Sequence, residues 1–86
     1  MNNKKEEKFI TFINTLTQQT MIALGIIPWP DNGKLIEKLD VAKEIINIIE
    51  ILKEKTQNNL SYKEEQLLNN SLCELKIHFI NKQKNK

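Results

Sequence analysis

Eighty-six residues with one Cys, two Gly and two Pro make one small domain without a disulfide framework, and too few turn formers for a β-sandwich or barrel. The formal net charge of +2 selects no partner; all thirteen basic residues are Lys, and the lack of Arg argues against bidentate reading of phosphates or bases. The longest apolar run, Met21 to Trp29, contains Gly and Pro and is about half of what a membrane-spanning helix needs.

A basic start at Lys4 and Lys5 is followed by Thr11, Asn14, Thr15, Thr17, Gln18 and Gln19, which interrupt the apolar stretch of a signal peptide. A cytoplasmic protein is expected. The first helix is predicted over residues 6–24, with Phe9, Phe12, Ile13, Leu16, Thr20 and Ala23 on one stripe and Gly25 as its stop. Residues 25–39 then form a long loop, in which Pro28-Trp29-Pro30 holds the chain extended and Asp31-Asn32-Gly33 reads as a turn. Loops of this length are often functional or mobile.

The second helix is predicted over residues 40–56, with Asp40 as its N-cap. Val41, Ala42, Ile45, Ile46, Ile48, Ile49, Ile51 and Leu52 cover more than half its circumference, whereas a helix with one neighbour needs only about a 100° stripe. Five of these residues are Ile, so packing rather than propensity must hold the helix. Coverage on two sides is required. Flanking by the other helices, with residual apolar surface closing a homodimer, meets that need, and Ile46 and Ile49 are the candidate self-association residues.

The junction from Lys55 to Glu64 is the most specific local signal. Lys55 complements the dipole at the end of the second helix, and Thr56 is a common residue there. Asn58 and Asn59 sit where a left-handed residue is needed, and Leu60 precedes Ser61 and Glu64, which have capping-box spacing. The third helix follows over residues 61–81, with Leu68, Leu72, Leu75 and Phe79 as a narrow stripe. Residues 1–5 and 82–86 are expected to be frayed. The whole is an all-α, three-helix, bundle-like single domain with a long loop between its first two helices.

Leu24-Gly25 with Pro28 and Pro30, then Leu39, Ala42-Lys43 and Ile46, then Leu52, Lys55-Thr56 and Asn59-Leu60, then Glu65, Leu68, Leu72 and Leu75 resemble the bacterial family called domain of unknown function 1844. The likeness covers about Phe9 to Phe79. It departs at Asn58, where the family usually has Gly, and at Asn47, where it usually has a carboxylate. The resemblance implies a small helical bacterial protein and supplies no catalytic residue.

The residues themselves offer little chemistry. Cys73 and His78 lie about 140° apart on a helix and cannot share a metal; Cys73 reads instead as a small apolar filler. No Gly-rich phosphate loop, nucleophile–base pairing or metal spacing is present, so neither enzyme activity nor a cofactor is expected. Trp29, between two prolines, either folds over the open end of the bundle or anchors a partner. Two functions fit these residues. One is a self-associating scaffold or adaptor that binds an unknown protein through apolar helix faces. The alternative is an accessory nucleic-acid-associated protein that binds weakly and nonspecifically through lysine-rich termini.

Overall fold

The computed structural model describes residues 4–85. Three helices account for the regular structure: α1 (Lys4–Ala23), α2 (Leu39–Lys55) and α3 (Tyr62–Lys84), and no strand occurs among the described residues. Each helix packs against both others. The chain runs up, down and up, giving a bundle with principal extents of 46 × 26 × 15 Å.

The core lies along the shared axis. Ile13 of α1, Ile49 of α2, and Leu68 and Leu75 of α3 are fully buried, together with Leu24 just past α1. Burying each such side chain contributes about 1.5–3 kcal/mol relative to leaving it in water. Ala23 and Ala42 are also buried, and their small side chains let the end of α1 approach the start of α2. Thr20 is the polar member of this core. Its hydroxyl donates to the Leu16 carbonyl at 2.7 Å, which removes the cost of burying it.

α1 ends as its sequence predicts. Gly25 has φ 77°, and the N–H groups of Gly25 and Ile26 donate to the Ile22 and Met21 carbonyls, both at 3.0 Å. This is the paired 5→2 and 6→1 pattern of a Schellman motif. The connection to α2 then closes on itself, because the Lys38 N–H donates to the Ala23 carbonyl at 2.7 Å. That contact also corrects the start of α2. Asp40 is not its N-cap: the helix begins at Leu39, and Lys38 occupies the cap position without a side-chain cap bond. A backbone bond from the loop, rather than a capping carboxylate, sets the helix start.

Four further expectations need correction. Lys4, Lys5 and residues 82–84 are helical rather than frayed, whereas Met1–Asn3 and Lys86 lie outside the described residues. Phe12 belongs to the predicted core stripe of α1 but is 48% exposed. Cys73 is exposed and fills no core space. Ile46 and Ile49, assigned from the sequence to self-association, are buried at 6% and 0% exposure, because α1 and α3 already cover that side of the α2 stripe.

Candidate interaction surface

The junction between α2 and α3 is built as its residues imply. Lys53 and Lys55 lie in the last turn of α2, where cations complement the helix dipole. The Thr56 hydroxyl donates to the Leu52 carbonyl at 2.7 Å, which also accepts the Thr56 N–H at 3.0 Å. Asn58 takes the left-handed conformation at φ 70°, whereas Asn59 does not; the Asn59 N–H donates to the Thr56 carbonyl at 2.9 Å. Leu60 is half-buried against the core.

Ser61 and Glu64 complete a reciprocal capping box. The Glu64 N–H donates to the Ser61 hydroxyl oxygen at 3.2 Å, and the Ser61 N–H donates to Glu64 Oε1 at 2.7 Å. The structure adds a partner that sequence spacing could not supply. The Ser61 hydroxyl also donates to Glu6 Oε2 at 2.5 Å, pinning the start of α1 to the junction. These polar groups are engaged with one another and hold the junction as a joint of the architecture.

Trp29 is half-buried, and its indole N–H donates to the Ile36 carbonyl at 3.0 Å. The Trp29 N–H reaches the Lys34 carbonyl and the Gly33 N–H returns to the Trp29 carbonyl, both at 2.8 Å. The Asn32 side chain accepts from the Lys34 N–H at 2.9 Å, and Gly33 has φ 66°. These bonds form the expected turn at Asp31-Asn32-Gly33. The Lys38 ammonium stands 4.6 Å from the centroid of the Trp29 ring, a cation–π distance. The ring thus folds onto the bundle while one side of it remains available to solvent.

That side closes an apolar cleft of about 340 Å³ between α1, α2 and the loop, lined by Gln19, Ile22, Ala23, Trp29, Val41 and Ile45. Apolar exposure continues along the same seam. Phe12 lies seven residues before Gln19 on α1, and Ile48 seven after Val41 on α2, so each shares a helix face with the cleft. Ile51 is 55% exposed on the same flank of α2. The broad apolar arc of α2 was the sequence signal for this surface. One side of that arc, Ala42, Ile46 and Ile49, is buried in the bundle, and the other, Val41, Ile48 and Ile51, is left outside.

Two other surface features stand apart from this seam. A second groove of about 340 Å³ runs between α2 and α3 and is lined by Glu50, Lys53, Glu65, Asn69 and Lys76 among others. Asn69 Oδ1 is buried there without a hydrogen-bond partner, and Lys76 pairs with Glu50 across its rim. Cys73 and His78 border a shallow depression on the outer side of α3. Among the described residues, no group of three or more His, Cys, Asp or Glu side chains gathers as a metal-ligand set. No helix of the described residues is long and apolar enough to cross a membrane.

The lysine-rich ends are far apart. Ser61 bonds Glu6 near the start of α1, whereas Lys82 lies 3.9 Å from Glu37 at the opposite end of the bundle. Lys4, Lys5 and Lys8 therefore do not share a patch with Lys82 and Lys84. Their separation follows the helix length, on the order of 30 Å, several times the ~8 Å screening length at physiological salt.

The fold and its surfaces define a small all-α domain with an open apolar seam. The chain belongs to the family described as Domain of unknown function (DUF1844), whose family model matches residues 6–81. No curated protein and no solved structure matches it.

Proposed function

We propose that this bacterial protein is a non-catalytic, self-associating scaffold or adaptor of the cytoplasm that binds protein through apolar helix faces. The observation that carries this reading is the amount of large apolar side chain left outside the core. Eight such residues are exposed among the described residues, and Phe12, Val41, Ile48 and Ile51 lie on the α1–α2 side of the bundle, around exposed Glu44. Clustered exposed apolar surface of this kind marks interaction sites. The bundle is also elongated. Its radius of gyration is 13.9 Å, against about 12 Å for a compact domain of this length. Its accessible surface is 6204 Å², against about 5,300 Å² for a compact monomer of this mass.

The nucleic-acid alternative draws less support, because its lysines divide between two distant ends and cannot add their charge at one phosphate cluster. Sedimentation equilibrium of the full chain at micromolar concentration tests the preferred reading. A dimer or larger species is expected. A monomer throughout that range overturns self-association, and salt-resistant, sequence-selective binding to RNA or DNA overturns the choice of class.

A further inference from the structure

We infer that the α1–α2 seam is an isologous homodimer interface, in which Phe12 of each copy enters the cleft beneath Trp29 of the other. The inference rests on the self-association reading above and gives it a surface and a geometry. A two-fold interface must be self-complementary: whatever projects on one copy must find its cavity on the same face of the same chain. This seam carries both parts. Phe12 projects, 48% exposed, and the cleft lined by Gln19, Ile22, Trp29, Val41 and Ile45 is open beside it.

Their spacing suits the operation. Phe12 precedes Gln19 and Ile22 by seven and ten residues of continuous helix, about 10–15 Å along the axis. A two-fold axis perpendicular to the helices, midway along that interval, places each Phe12 over the other copy's cleft in one step. α1 and α2 are antiparallel neighbours, with Ala23 and Gln19 lining the cleft opposite Val41 and Ile45. Continuing that register sets Leu16 opposite Ile48, so Ile48 falls near the axis and meets its own counterpart. Ile48 is exposed in the single chain, as a residue at a self-contact must be.

The occupant and the area agree. The cleft is apolar on nearly every side, which suits an aromatic ring and offers no charged group a partner. Seventeen residues of α2 and the facing length of α1 give a ridged face about 25 Å long and two helices wide, of order 500 Å² in projection. Two such faces together reach about 1,000 Å², the lower bound for a specific interface.

The experiment uses the full chain and sedimentation equilibrium, with helicity checked by circular dichroism. Phe12→Asp and Val41→Lys alone should each weaken the dimer at least tenfold, and an equimolar mixture of the two variants should restore it. Only the mixed dimer sets the introduced carboxylate against the introduced ammonium at one contact and leaves Phe12 on Val41 at the other. Ile77→Asp, on the outer side of α3, should leave assembly unchanged. If Phe12→Asp loses helicity, Val41→Lys decides. A native dimer that Ile77→Asp dissociates, while Phe12→Asp and Val41→Lys do not, overturns this interface and leaves self-association standing. A native monomer overturns both.

Discussion

The two connections of this bundle solve the same problem by different means. Each leaves a helix through a single left-handed residue, Gly25 at φ 77° or Asn58 at φ 70°. After Asn58 the chain needs only three residues before the next helix begins, with its cap supplied by Ser61 and Glu64. After Gly25 it wanders to Lys38, and its closure depends on Trp29 bonding Ile36 and on Lys38 returning to Ala23. The short connection is held by its own cap and by one distant bond, from Ser61 to Glu6. The long one is held by bonds among its own residues and between its two ends, and it is the one that leaves an open cleft.

Removing the Trp29 side chain should break this contrast most strongly. Trp29→Ala loses the bond to Ile36, the Lys38 contact and the wall of the cleft, and should cost about 2–3 kcal/mol, below the 3–5 of a fully buried Trp. Urea denaturation measures it; a change within ~0.5 kcal/mol, the range of a surface substitution, would mean the loop does not depend on the ring.

Gly25→Ala comes next. A Cβ at positive φ costs about 1–2 kcal/mol. The added Cβ meets the Glu37 backbone at only 3.5 Å, so ordinary contact rather than a clash accompanies that strain. Thermal unfolding of the variant tests this, and an unchanged midpoint would show that the Schellman turn relaxes freely.

Ser61→Ala should cost about 0.5–2 kcal/mol through loss of the N-cap. The bond to Glu6 adds a tertiary component to this local joint. A double-mutant cycle with Glu6→Ala should therefore return a non-zero coupling of about 0.5 kcal/mol. Strict additivity would show the joint to be purely local.

Asn58→Gly should have the smallest effect, neutral or stabilising by a few tenths of a kcal/mol, because Gly adopts positive φ without strain. Clear destabilisation would mean that the Asn side chain does more than tolerate its backbone angle.

Much of the fold was legible because its signals are short-range. The stripe Leu68, Leu72 and Leu75 is buried as its spacing requires, Gly25 stops α1, and Ser61 caps α3 through the glutamate three residues on. The errors share one physical cause, long-range packing overriding a local pattern. Asp40 had the chemistry of an N-cap, but the loop's return to Ala23 set the start of α2 at Leu39. Phe12 had core spacing, but it lies at the edge of the α1 stripe, where packing gives out. Ile46 and Ile49 had the right character for an interface but sit on the side of the arc that two helices already cover.

By itself the sequence determined three helices, their approximate ends, both left-handed exits and the surplus of apolar surface on α2, because periodicity, caps and backbone sterics act within a few residues. Only the tertiary structure decided which part of that surplus is buried inside the chain and which remains outside. That outcome depends on where α1, α3 and the Trp29 loop settle around α2. The contacts that settle them, Lys38 with Ala23 and Ser61 with Glu6, join residues whose distance along the chain leaves no local pattern to read.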